Sequence, residues 1–344
     1  MSKSLLFELL QVALGTRNKL SRVPFEQEWE KLYDDAERQA VVSVMLSGIE
    51  NLSAEQLPPL ELKLQWIGET QMDEAIYKSH CERAAELARQ CRAVGFKSCV
   101  LKGVGTAQYY PEPSRRQCGD IDLWVNGRRK DVMAWLRSEY KVGPVMWHHI
   151  EAEIYDDVST EIHIHPTWVY NPLHNWRLQQ FFERNKNLQM QENRELGFAH
   201  PTVQFDAVFS LVHSFHHLLE EGVGLRHIVD YFYILKALPT NGRDEAMQTL
   251  NYIGLGKFAV AMMWMMKEVC GMRETDLLCE PNDKEGRFLL SEIMVGGNFG
   301  QTRQDGKDRN TFRRWMMMVK HYPGEVLWMV PWKVWHRCWR FMHK

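Results

Sequence analysis

One residue separates Asp120 from Asp122 in the run Asp120-Ile-Asp-Leu-Trp-Val125. That spacing constrains the fold more than any other feature of the chain. Acids alternate with aliphatic and aromatic residues, which is strand patterning. Side chains on a strand alternate between faces, so both carboxylates point the same way. The strand must therefore turn one face to an apolar core and one acidic face to a cleft. Two neighbouring carboxylates repel each other, and the arrangement makes sense where a cation lies between them.

A third acid fits the same scheme. Glu161 lies in Thr160-Glu-Ile-His163, a second stretch with strand alternation. Ile162 and Ile164 would pack on one side, and Glu161, His163 and His165 would share the other. If this strand lies beside Asp120–Val125, three carboxylates converge. Mg²⁺ or Mn²⁺ suits such a donor set, because hard divalent ions take oxygen ligands and keep room for water and phosphate oxygens.

The surrounding chain divides into three parts, residues 1–95, 96–200 and 201–344. Residues 1–95 read as helical. Leu60 to about Ala93 is long, charged and free of proline, with apolar residues recurring at spacings of three and four. Residues 96–200 switch to short β-branched runs bounded by Gly, Pro, Asn and Asp. Strands are expected at Ser98–Leu101, Asp120–Val125, Val145–Tyr155 and Val158–His165, with a tight turn at Asp156-Asp157. Helices are expected at Gly103–Tyr110 and Arg128–Tyr140. Residues 201–344 return to helix, with segments from Pro201-Thr202 to Glu221 and from Leu225 to Leu235. The whole predicts an α+β fold, a small mixed sheet flanked by N-terminal and C-terminal helical regions.

Two glycines, Gly103 and Gly105, precede the short helix and would let backbone N–H groups approach an anion. Lys102 and Arg116 would neutralise phosphate charge. Taken together, Leu101-Lys-Gly103, Tyr110-Pro111, Arg116-Gln-Cys-Gly-Asp-Ile-Asp122 and Glu161-Ile-His163 resemble the uncharacterised nucleotidyltransferase family, a branch of the polymerase-beta-like nucleotidyltransferase superfamily. The resemblance covers about residues 95–235. It includes Gly224-Leu-Arg-His-Ile-Val-Asp230, similar to a helical segment of the family. The turn here reads Gly103-Val104, where the superfamily usually has a second small residue, so a valine side chain is expected beside the phosphates.

The resemblance implies metal-dependent transfer of a nucleotidyl group, adenylyl by expectation, from a nucleoside triphosphate to an acceptor hydroxyl, with release of pyrophosphate. Asp120 and Asp122 would hold the metal, and Glu161 would join them or activate the acceptor. Lys102, Gly103, Gly105 and Arg116 would bind the nucleotide. Asp122→Asn is expected to abolish turnover with near-normal melting. The alternative is a binding protein that keeps the fold without the chemistry, and Val104 is the feature that favours it. A kinase fits less well, since the GxxxxGK[ST] loop and the protein-kinase motif set are missing.

Bulk properties bound the partners. The formal charge is −2, which disfavours a long nucleic-acid acceptor and leaves a small molecule or a protein. Seven cysteines without a CxxC pair read as reduced thiols in a cytoplasmic protein. No stretch approaches the roughly 18 uninterrupted apolar residues of a membrane span. The N-terminal run, broken by Glu8 and Gln11, fits one face of a helix. His213, His216 and His217 offer metal-ligand spacing, but no third spaced ligand is apparent in the sequence, so they read as packed histidines. Asp230 is expected to pair with Arg226 one helical turn earlier. The C-terminal stretch from Phe312 to Lys344 carries five tryptophans interleaved with Lys and Arg. Such a stretch either packs its rings on the core, which is the favoured reading, or contacts an external surface.

Overall fold

The computed structural model describes residues 4–300 and 308–342; Met1–Lys3 and His343–Lys344 of the terminal stretches lie outside them. Three helices, α1 (Leu5–Ala13), α2 (Glu26–Arg38) and α3 (Val42–Glu50), precede the long α4 (Leu60–Ala93). The sheet region follows as β1 (Lys97–Val100), α5 (Val104–Ala107), β2 (Ile121–Asn126), α6 (Arg129–Glu139), β3 (Lys141–Val145), β4 (His149–Glu153) and β5 (Thr160–His163). The chain then continues as α7 (Pro172–Gln189), α8 (Val203–Glu220), α9 (Leu225–Ala237), α10 (Thr240–Tyr252) and α11 (Gly256–Trp264). It ends with α12 (Asp283–Gly296), α13 (Asp308–His321) and α14 (Pro323–Met342). The predicted α+β class is the observed one.

The five strands form one mixed sheet in the order β1-β2-β5-β4-β3. β2 and β5 run parallel, and every other pairing is antiparallel. The expected strand Val145–Tyr155 is shorter, β4 alone, and forms a hairpin with β3, a strand not expected from the sequence. Gly143 and Pro144 conceal β3 in the sequence, because proline removes a ladder donor. It is tolerated here because β3 is the edge strand and its register slips between Val142 and Val145. The turn expected at Asp156-Asp157 is a longer loop between β4 and β5.

Alternation sorts the sheet's side chains. Ile121, Leu123 and Val125 of β2, with Ile150 and Ile162, pack against Leu87 and Ala88 of α4 and Val132 and Leu136 of α6. Burying each of these aliphatic side chains contributes about 2 kcal/mol. The opposite face carries Cys99 and Trp124 into a larger core with Phe182, Phe205 and Phe209. That core also takes in α1 residues such as Leu9 and residues of the last helices such as Met318 and Val326. Asp122 has the parity of Trp124, so it faces the side covered by the later helices.

Candidate functional site

Parallel pairing of β2 with β5 sets Asp122 directly opposite Glu161, and Trp124 opposite His163. Asp122 is fully buried. One of its oxygens, Oδ1, accepts hydrogen bonds from Lys102 Nζ at 2.8 Å and from His163 Nε2 at 2.9 Å. The other, Oδ2, is buried and has no hydrogen-bond partner. Glu161 Oε2 lies 3.2 Å from His163 Nε2 and 3.2 Å from His149 Nδ1. Asp120 is half-buried just before β2, and Asp120 and Glu161 both line a cavity of about 550 Å³ between the sheet and helices α8, α9 and α14.

Charges in this group depend on one another. Burial alone would push Lys102 down, but Asp122, Asp120 and Glu161 hold its ammonium above the ordinary lysine range. Burial would raise Asp122, yet the Lys102 charge and the His163 hydrogen bond keep its carboxyl below the usual range. Burial is also overcome at Glu161, which His163 brings down to about 2. His163 rises to about 9 despite its burial, because Asp122 and Glu161 both accept from its ring. Asp122 and Glu161 thus share this corner with an ammonium and an imidazolium, while Asp120 is not in the group whose ligand atoms meet and acts on Lys102 through its charge. Neutralising Asp122 would leave both cations without it, so the expectation of near-normal melting for Asp122→Asn gives way to a destabilised variant.

The loop from β1 to α5 delivers Lys102. The Leu101 N–H donates to the Asp122 carbonyl at 2.9 Å, which clamps the end of β1 beside the acid. Gly103 then turns with φ +57° and ψ −120°, and a Cβ there would meet the Asp120 carbonyl at 3.1 Å. Only glycine adopts that backbone readily, and Gly103 lines the cavity. The helix α5 is a single turn, so it brings N–H groups but little dipole.

Four expected residues meet surroundings that the sequence did not show. Gly105 does not line the cavity; its Cα abuts the Val100 carbonyl, where a Cβ would come to 2.5 Å. It serves packing. Val104 is buried among Val100, Ile121 and Phe198, away from the cavity wall, so its side chain does not crowd a phosphate site. Arg116, although it borders the cavity, gives its guanidinium to Asp230 through two 2.8 Å bonds. Tyr110 donates a third bond to the same carboxylate. Asp230 therefore pairs with Arg116, not with Arg226. Arg226 lines the cavity with its Nε buried and without a hydrogen-bond partner, while its NH1 donates to the Gln117 carbonyl.

Sequence reasoning missed much of the remaining wall. His148 and His149 enter at the start of β4, Trp168 follows β5, and Trp332, Lys333 and His336 come from α14. The ring of Trp332 packs on Trp147 and Trp168, as the packing reading of the tryptophan-rich stretch expects, whereas Trp328 and Trp335 stay exposed. Buried polar atoms without partners recur around the cavity: His149 Nε2, Trp168 Nε1 and His216 Nδ1 join Arg226 Nε, and Asp122 Oδ2 lies behind the wall beside Glu161. Native interiors satisfy nearly all such atoms, so their concentration here marks a surface shaped for a polar ligand.

The residues fit a divalent cation. Asp122, Glu161 and His163 bring ligand atoms within 4.8 Å of one another, and Asp122 has an oxygen to spare; His163, an imidazolium without metal, would give up its proton on joining them. Carboxylates suit Mg²⁺ and Mn²⁺, and the imidazole is better tolerated by Mn²⁺.

Comparison with known protein families matches residues 26–271 to the uncharacterised nucleotidyltransferases. The chain belongs to that family. A nucleoside triphosphate is the substrate class this membership implies, and divalent metal is general among nucleotidyltransferases. The comparison with curated proteins found no match. No helix among the described residues is long and apolar enough to cross a membrane.

Proposed function

We propose that this family member is a metal-dependent nucleotidyltransferase that moves a nucleoside monophosphate, AMP by preference, from a triphosphate to an acceptor hydroxyl and releases pyrophosphate. The observation that carries the reading is the Asp122–Glu161 pair, set in register on adjacent parallel strands, with a partnerless buried oxygen beside a cavity of nucleotide size. Asp120, Asp122 and Glu161 would hold Mg²⁺ or Mn²⁺. Bound there, the metal supplies charge neutralisation at the α-phosphate and the attacking oxygen.

The protein's own groups do the rest. Lys102 and Arg226 offer cations to the phosphates, Arg226 taking the role first expected of Arg116. Gly103 lets the backbone approach. Glu161 is held ionised, as a carboxylate ligand of the metal requires. Trp168 lines the cavity with His148 and His216 packed on it at 4.0 Å, an aromatic wall beside the nucleotide. The acceptor is a small molecule or a protein side chain, consistent with the near-neutral charge. The seven free cysteines support a cytoplasmic setting. We take residues 96–200 as the unit that carries the acids, with 1–95 and 201–344 as flanking helical regions.

With Val104 in the core, the feature that favoured a non-catalytic reading is gone. Incubation with each α-labelled triphosphate, Mg²⁺ or Mn²⁺ and a cell extract tests the proposal. Metal-dependent transfer of α-label, lost in Glu161→Gln, is expected. In a parallel incubation with γ-labelled triphosphate, transfer of that label alone would mean phosphoryl transfer, and metal-dependent ATP binding without pyrophosphate release would mean a binding protein.

A further inference from the structure

The cavity has a second wall that nucleotidyl transfer does not use. His213 and His217 sit one turn apart on α8, and His227 reaches in from α9. Each offers a ring nitrogen within 4.8 Å of the others. His213 Nε2 and His217 Nε2 are 2.9 Å apart. Two ligands of one tetrahedral zinc ion would sit about 3.3 Å apart, given Zn–N bonds of about 2.05 Å. The third histidine, which sequence spacing did not reveal, lies beyond the Gly222–Gly224 break, on the next helix.

We propose that His213, His217 and His227 form a second metal site that takes Zn²⁺ or a similar borderline transition ion, with its fourth position open to the cavity. Imidazole-only ligation selects zinc-class ions over Mg²⁺. One of the three has the outer contact of a ligating histidine. His217 Nδ1 donates to Glu221 Oε2 at 3.3 Å, which fixes the tautomer with the Nε2 lone pair facing His213. His227 Nδ1 instead accepts from the Gly224 N–H at 3.4 Å, a long bond that ligation through Nδ1 would replace and ligation through Nε2 would leave in place after loss of the Nε2 proton. Phe299 covers His217 and His227 at 5.1 and 5.7 Å between ring centroids, giving the site an apolar shell.

Three protein ligands and one open position are the pattern of zinc sites that bind water or a substrate oxygen. The site's existence does not rest on nucleotidyl transfer.

The test strips the full-length protein with EDTA and titrates Zn²⁺ against a chromophoric chelator. One tight equivalent is expected, unaffected by millimolar Mg²⁺ and retained in Asp122→Asn and His149→Gln. His217→Gln and His227→Gln should each weaken it at least 100-fold. Glu221→Gln, at an exposed side chain, should weaken it about 10-fold, and this variant reports even if a histidine variant fails to fold. X-ray absorption at half an equivalent of Zn²⁺ should count three imidazoles. Zinc affinity lost in Asp122→Asn or His149→Gln but unchanged in Glu221→Gln would overturn the proposal. So would a shell with one imidazole, or no tight equivalent at all.

Discussion

Replacing Asp122 by asparagine keeps the side chain's shape and removes one buried charge. In the metal-free protein that charge faces Lys102 at 2.8 Å. At an effective dielectric near 20 the attraction is about 6 kcal/mol. Relief of repulsion with Glu161 offsets part of its loss, and removal of one partner from a buried pair typically costs about 3–5 kcal/mol. For 344 residues the unfolding entropy is roughly 0.7 kcal/mol/K. The variant should therefore melt about 4–7 °C below wild type in EDTA. Mn²⁺ at a hundredfold excess over its Kd should raise the wild-type Tm by about 4 °C, since such an excess stabilises by ~2.7 kcal/mol. Asp122→Asn should lose that response, together with at least ~10³-fold in turnover, a barrier increase of about 4 kcal/mol. Differential scanning calorimetry with and without Mn²⁺ measures both shifts. A variant melting within about 1 °C of wild type in EDTA would refute the buried ion pair. A preserved Mn²⁺ response would refute the role of Asp122 in holding the cation.

Val104→Ala should lower stability by about 2 kcal/mol by opening a small cavity, yet leave the Kd for a triphosphate unchanged; tighter binding would restore the idea that this side chain crowds the phosphates. Arg226→Met should weaken triphosphate binding about 10-fold, as loss of one charge-assisted contact does, with little change in Tm. Arg116→Met should instead lower stability by about 3–5 kcal/mol, because Asp230 is left buried and unpaired, and the reverse pattern would exchange the two roles. In EDTA, His163 is raised from 6.5 to about 9 by Asp122 and Glu161, which outweigh its burial. Its contribution to stability is thus fully present below pH 6.5 and lost as pH rises through 9. Denaturant midpoints should fall over that window in wild type and stay flat in His163→Gln; a flat wild-type profile would contradict the pairing.

The acids were legible because strand alternation is local: Asp120, Asp122 and Glu161 could be placed on strand faces from neighbouring residues alone. Their convergence was conditional, since which strand lies beside β2 is a long-range fact; the parallel pairing with β5 spans the whole β3–β4 hairpin. Other misreadings share that cause. Helical spacing offers Arg226 to Asp230, but the short turn at Pro113–Arg115 carries Arg116 to the acid first. Val104 looked exposed to phosphate because the turn glycine precedes it, whereas the positive φ at Gly103 swings the next side chain into the core. Pro144 hid an edge strand, where its missing donor costs least. His227 could not be joined to His213 and His217 without knowing how α9 packs on α8.

The central claim is spatial, and diffraction tests it most directly. Crystals grown with Mn²⁺ and a non-hydrolysable triphosphate should show an anomalous peak bridging Asp122 and Glu161, with Asp120 on the same ion and the α-phosphate against it. An ordered nucleotide with manganese elsewhere, or with the carboxylates of Asp120 and Asp122 turned from it, would contradict the account.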